Sequence, residues 1–146
     1  MNKNYSLTIL LPVINEYKSL IQTLNILNED NKHNQINYIF ILHPEKSQKK
    51  SIDLCCDYSN KNPKRFITIF QKNKLLGGAY IDGINKSNSS HILLMSSDLE
   101  TDPHLVKNMI EQSSNNYDKI ICTSRWVHNN SFNEYGIIKT YLNKLF

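Results

Sequence analysis

Apolar residues in this chain fall into short solid runs separated by longer stretches with helical spacing. The largely apolar run Leu7 to Leu11, closed by Pro12, predicts a buried strand. Tyr38 to Leu42, Phe66 to Phe70, His91 to Met95 and Lys119 to Thr123 predict four more. Between the first two, Tyr17, Leu20, Ile21, Leu24 and Leu27 recur at helical spacing behind Asn15, a candidate cap. Ser47 to Ser59 predicts a second helix, with Ile52 and Cys55 or Cys56 inward. Gly77-Gly78 opens a third, through about Asn85. Asp102-Pro103 is a helix start with Asp as cap and Pro in the first turn, followed by the stripe Leu105, Val106, Met109 and Ile110. Ser124 to Asn133 is polar and irregular, and Glu134 to Phe146 reads as a last helix. Strict β-α alternation predicts an α/β domain over residues 1–146: a doubly wound, mostly parallel sheet with helices on both faces. The chain stops inside the last helical pattern without a stop signal, so the expectation is a domain truncated at its C-terminus.

Composition narrows the class. A length of 146 residues supports one domain with a real core. The net charge of +4 is modest, and Lys49-Lys50 is the one adjacent lysine pair, which argues against a nucleic-acid partner. Three cysteines (Cys55, Cys56 and Cys122) with no spaced Cys/His set read as buried thiols of a reducing compartment, not as zinc ligands or a bridge. The first apolar run is too short for a signal peptide, and none approaches a membrane span. The expected location is the cytoplasm. Oligomeric state is not legible.

Four loops follow strands and gather at one sheet edge, where open α/β sheets bind ligands. In the first, Glu16 is either a partner for a nucleobase edge or a first-turn acid favoured by the helix dipole. In the second, Asn73-Lys74-Leu75-Leu76-Gly77-Gly78 joins paired glycines to a lysine, a pattern open to phosphate or to a plain turn. There is no P-loop and no GxGxxG fingerprint. The third, Met95 to Pro103, carries Asp98, Glu100 and Asp102. On an extended chain, Asp98 and Glu100 point the same way and Leu99 points into the core. Two hard oxygen donors suit Mg²⁺ or Mn²⁺ shared with substrate phosphates; a solvated acidic loop is the alternative. The fourth holds Arg125, suited to a bidentate phosphate contact, and Trp126, either a stacking platform or core. Lys139 lies farther on, either turned toward the same site or solvated on a helix.

Taken together, Thr8 to Glu16 (TILLPVINE), Asn73 to Ile84 (NKLLGGAYIDGI), Ile92 to Pro103 (ILLMSSDLETDP) and Cys122 to Trp126 (CTSRW) resemble family 2 glycosyltransferases of the GT-A, Rossmann-like fold. The likeness is strongest to dolichol-phosphate mannosyltransferase and similar polyprenyl-phosphate glycosyltransferases. It implies transfer of a sugar from a nucleotide-diphospho-sugar, with Mg²⁺ or Mn²⁺, to an acceptor such as polyprenyl phosphate at the inner face of a membrane. It sets Pro12 and Glu16 beside the nucleotide, and Asn73, Gly77, Gly78 and Ser96 in the donor site. It sets Asp98 and Glu100 on the metal, and Arg125 and Lys139 on the phosphates of donor and acceptor. Asp98 and Arg125 are the implied catalytic residues.

The departures are specific. Ser96 stands where the family's DxD motif has its first aspartate, and Glu100 where the family has Gln. The aspartate pair that follows the second strand is replaced by Leu42-His43-Pro44-Glu45-Lys46-Ser47, and an arginine of the Gly-rich helix start by Ile81. Two other readings stand beside the first: a degenerate, non-catalytic binding module, and another α/β nucleotide-using enzyme such as a nucleotidyltransferase.

Overall fold

The structure, a computed structural model, describes residues 5–30, 36–116 and 118–123. Four strands are in place: β1 (Leu7–Val13), β2 (Ile36–Leu42), β3 (Phe66–Phe70) and β4 (His91–Leu94). They form one parallel sheet in the order β3-β2-β1-β4. Four helices alternate with them: α1 (Tyr17–Asp30), α2 (Lys49–Lys61), α3 (Leu75–Lys86) and α4 (Leu105–Asn115). The expected parallel α/β architecture is present.

Strand alternation sorts the core into two layers. Leu7, Ile9, Leu11 and Val13 face one side with Tyr38, Phe40 and Leu42, against Leu20, Leu24 and Leu27 of α1, Cys55 of α2, and Val106 and Ile110 of α4. Leu10, Ile39 and Ile41 face the other side, against Ala79 and Tyr80 of α3. The first layer includes an aromatic stack, with Phe66 4.9 Å from Tyr38 and 5.8 Å from Phe40. Such pairs add about 0.5–1.5 kcal/mol each beyond burial. On the second side, α3 sits close because Gly83 has no side chain: a Cβ there would lie 2.7 Å from Ile41 Cδ1 and 2.9 Å from Leu10 Cδ1.

Several boundaries differ from the sequence reading: β1 runs through Pro12 to Val13, β2 begins at Ile36, α2 runs on to Lys61 and β4 ends at Leu94. Glu16, not Asn15, stands at the N-terminal boundary of α1: its carbonyl accepts the Leu20 N–H, while its carboxylate turns back to accept the N–H groups of Ile14 and Asn15. Helix α2 starts at Lys49 because Ser47 and Gln48 are drawn into bonds with the end of β1. Helix α3 begins at Leu75, two residues before the glycines. Lys119 to Thr123 is not a strand. Lys119 turns back to Asn116 instead, and Ile120 stays 93% exposed. Lys119, Ile120 and Ile121 run past β4 and α4 around a cavity of about 270 Å³. The readings of Ser124 to Asn133 and Glu134 to Phe146 lie outside the described residues. Among the described residues, no helix is long and apolar enough to cross a membrane.

Candidate functional site

The carboxyl edge of the sheet is stitched together at the end of β1. Three successive β1-end carbonyls each take a hydrogen bond from another loop. The buried Ser97 hydroxyl donates to the Pro12 carbonyl at 2.6 Å. The Ser47 hydroxyl donates to the Val13 carbonyl at 2.6 Å and accepts the His43 N–H at 2.8 Å. The Gln48 N–H donates to the Ile14 carbonyl at 2.7 Å. Each bond contributes about 0.5–1.5 kcal/mol, and together they fix two loops to one strand end. Neither serine was a candidate in the sequence, since a hydroxyl of this kind leaves no periodic signal.

A cleft of about 660 Å³ opens at the ends of β1, β2 and β3 and beside the first turn of α3. Of the residues expected at a donor site, Pro12 and Asn73 line it. So do Lys74 and three residues sequence reasoning passed over, His43, Lys46 and Lys72. Their positions just past strands β2 and β3 were the signal available. Glu16, Gly77, Gly78, Ser96, Asp98 and Glu100 are not in its wall.

The loop carrying Lys72 and Asn73 is built on Asp82 of α3. Asp82 Oδ2 accepts the N–H groups of Lys72 at 2.6 Å and Asn73 at 2.9 Å, and Oδ1 accepts the Asn73 amide at 2.7 Å. These bonds, first those from the Asn73 and Lys72 backbone, hold the Asp82 carboxyl below the usual carboxylate range. The paired glycines do different work from the ligand approach expected of them. A Cβ on Gly78 would lie 2.7 Å from the Asn73 carbonyl carbon, so this glycine makes room for the loop. A Cβ on Gly77 would meet nothing within 4 Å. Leu75, exposed at the mouth of the cleft, takes a left-handed φ of 64° where the loop turns into the helix.

The acidic turn is bent, not extended. Asp98 Oδ1 accepts the Glu100 N–H at 3.0 Å and Leu99 takes a φ of 69°, leaving it half-buried and not in the core. The extended geometry expected of Asp98 and Glu100 is therefore absent. Ser96 closes the turn, donating to the Thr101 hydroxyl and accepting the Thr101 N–H, both at 3.1 Å. Asp102 does not cap α4 as expected: the helix begins at Leu105 with His104 at its N-cap, and Asp102 Oδ1 instead accepts the His104 N–H at 3.0 Å in the turn before it. His104 Nδ1 meets Asp30 Oδ2 of α1 at 2.6 Å, fastening the far side of the turn. Burial, and then the negative charge of Asp98, push the Tyr80 phenol above its usual value, so the acidic turn and α3 feel one another.

The donor chemistry of this turn fits a small hard cation. Mg²⁺ commonly takes one or two carboxylates and completes its shell with phosphate and water. Asp98 and Glu100 offer that set two residues apart. Among the described residues, no group of three or more His, Cys, Asp or Glu side chains converges on a fuller site. Arg125, Trp126 and Lys139 lie outside the described residues.

Comparison with known proteins gives the geometry a family. The profile of glycosyl transferase family 2 matches residues 8–146. The uncharacterized glycosyltransferase YkcC of Bacillus subtilis (strain 168) is 25% identical over 120 residues, covering 82% of this chain and 37% of that protein. The chain thus spans little more than a third of the length of this relative. The narrower likeness to dolichol-phosphate mannosyltransferase rests on the motifs alone. A match over nearly the whole chain, on a parallel α/β sheet whose loops build one cleft, places this protein in glycosyl transferase family 2.

Proposed function

We propose that this domain moves a sugar from a nucleotide-diphospho-sugar to an acceptor oxygen. The observation that carries the reading is the junction at Pro12. Pro12 lines the basic cleft, and its carbonyl holds the carboxylate turn through Ser97. A nucleotide lying in the cleft, against Pro12 and Asn73, directs its diphosphate toward that turn. In the transfer, the bond between the anomeric carbon and the β-phosphate oxygen breaks. Its electron pair leaves with the nucleoside diphosphate. The acceptor oxygen supplies the new bond to the anomeric carbon. A hydroxyl acceptor gives up its proton, whereas a polyprenyl phosphate at the inner membrane face is already ionised and needs no base. Asp98 and Glu100 are the residues that would hold Mg²⁺ or Mn²⁺. Held there, such a cation would supply positive charge against the leaving diphosphate. Ser96 and Glu16 act by shape, closing the acidic turn and the first loop. Gly78 seats the donor loop on α3, and Gly77 leaves its side of the helix open. Arg125 and Lys139 carry the phosphate roles that the family resemblance gives them.

The test is release of nucleoside diphosphate from UDP-, GDP- and CDP-sugars, with Mn²⁺ and vesicles containing polyprenyl phosphate. We expect turnover with one base, and a fall of about 10²–10³ in kcat in Asp98→Asn, the size seen when one stabiliser of developing charge is lost. Preference for nucleoside triphosphates over every nucleotide sugar would overturn the reading in favour of a nucleotidyltransferase. One observation favours the non-catalytic alternative: the Ser96 hydroxyl is committed to Thr101 where the family motif has a carboxylate. Nucleotide binding without turnover, together with a large gain in Mn²⁺ affinity in Ser96→Asp, would establish that alternative.

A further inference from the structure

Pro12 lies in a central strand, where a proline removes a ladder bond. The carbonyls that β1 turns toward β4 belong to its even-numbered residues. Ser6 accepts the His91 N–H at 2.9 Å, and Leu10 accepts the Met95 N–H at 3.2 Å. Two residues on, Pro12 presents its carbonyl to the same side, with its ring nitrogen where the next donor would stand. A continued parallel ladder would put the Pro12 N–H on the Met95 carbonyl and the Ser97 N–H on the Pro12 carbonyl. Proline has no N–H, so the first of these bonds cannot form. Pairing with β1 stops at Leu10 and Leu94, and β4 ends there.

The second bond is made by a side chain instead. The buried Ser97 donates its hydroxyl to the Pro12 carbonyl at 2.6 Å. A hydroxyl reaches out from Cβ, so the Ser97 main chain is tied to β1 without lying in the ladder. Just past this tie the chain bends, with Asp98 accepting the Glu100 N–H and Leu99 at a φ of 69°. Met95 and Ser97 are buried on the sheet side, and Asp98 and Glu100 are exposed. Pro12 thus releases the strand, and Ser97 fixes where the released chain goes. We infer that Ser97 is a positioning residue for the carboxylate turn: its hydroxyl, standing in for a ladder N–H on the Pro12 carbonyl, sets Asp98 and Glu100 relative to the cleft. The inference rests on the reading of Asp98 and Glu100 as the residues that would hold the cation.

Two substitutions in the whole chain test it: Ser97→Ala removes the tie, and Ser97→Thr keeps the hydroxyl. Hydrogen exchange reads the turn with no ligand present. In Ser97→Ala the Glu100 and Thr101 amides should exchange faster, while the Leu11 and Ile41 amides of the sheet keep their wild-type rates. Mn²⁺ titration followed by electron paramagnetic resonance, with UDP, GDP or CDP present, reads the site. Affinity should fall about tenfold in Ser97→Ala, the lower end of what loss of an outer support costs a metal site, and recover in Ser97→Thr. The double substitution Pro12→Ala/Ser97→Ala supplies both main-chain ladder donors. It should regain the Tm lost in Ser97→Ala without regaining Mn²⁺ affinity, which separates stability from position. Unchanged Mn²⁺ affinity in Ser97→Ala, exchange quickened throughout the sheet, or Mn²⁺ affinity that returns with Tm in the double variant would each overturn the inference and leave the donor reading standing. Folded wild-type protein that binds no Mn²⁺ with any of the three nucleotides would overturn the metal site of that reading, and this inference with it.

Discussion

The two glycines at the start of α3 show how much a single hydrogen in place of a methyl group decides. Gly78 abuts the Asn73 backbone, whereas Gly77 faces open space. Gly78→Ala should therefore destabilise by about 1–3 kcal/mol, as overpacking against backbone does. Gly77→Ala should be neutral or stabilise by up to about 1 kcal/mol through helix propensity. Urea melts of both variants check this, and equal effects would contradict the packing described. The sequence marked both glycines as unusual. It could not say that one serves the loop, because Asn73 reaches Gly78 only through the turn at Leu75. Ser47 and Ser97 were silent for a similar reason: their partners are main-chain carbonyls 34 and 85 residues away.

At the scale of elements, four of the five predicted strands formed: β1 and β2 are buried on both faces at the sheet centre, and β3 and β4 pair with them as partly exposed edges. At Lys119 to Thr123 a local turn with Asn116 is formed instead. Asp98 to Glu100 misled differently. Alternation assumed an extended chain, but a short carboxylate can accept its own loop's N–H and bend it. The loop over α3 depends on the same chemistry at Asp82. Its folded carboxyl sits below the ordinary value of 3.8, so its contribution is present above that value and is lost as pH falls through the lower folded one. Hydrogen exchange should show the Lys72 and Asn73 amides protected at neutral pH and released only as pH falls below the ordinary carboxylate value, through the lowered one of Asp82. In Asp82→Ala the protection should already be missing at pH 7. Equal protection in both proteins would remove Asp82 from this role.

For the molecule as a whole, alternation of the elements foretold the placement of helices on both faces and of the site at the carboxyl edge, since both follow from parallel βα topology. The cysteines were foretold only in part. Cys55 lies in the core, Cys56 is half-buried and Cys122 is exposed. Burial first, and then the charges of Cys56 and Glu16, push the Cys55 thiol up to about 12. The folded state therefore resists an ionisation that the unfolded chain undergoes near 9. Stability contributed by the neutral thiol is present below about pH 9 and lost between about 9 and 12, by up to about 1.4 kcal/mol per pH unit. Denaturant midpoints at pH 8, 9 and 10 should show this decline, and Cys55→Ala should reduce it. Thiol labelling at pH 8 should reach Cys122 first and Cys55 only through unfolding.

The end of β1 has a mechanical consequence. One wall of the cleft, the loop of Ser47 and Gln48, and the carboxylate turn both hang from three neighbouring carbonyls at one strand end, Pro12, Val13 and Ile14. The strand end works as a shared hinge-pin: a displacement of one loop is passed to the other through rigid peptide planes. Reshaping the nucleotide pocket therefore re-aims the acidic turn, and loops grafted here from another protein must bring hydroxyls that reach the same pin.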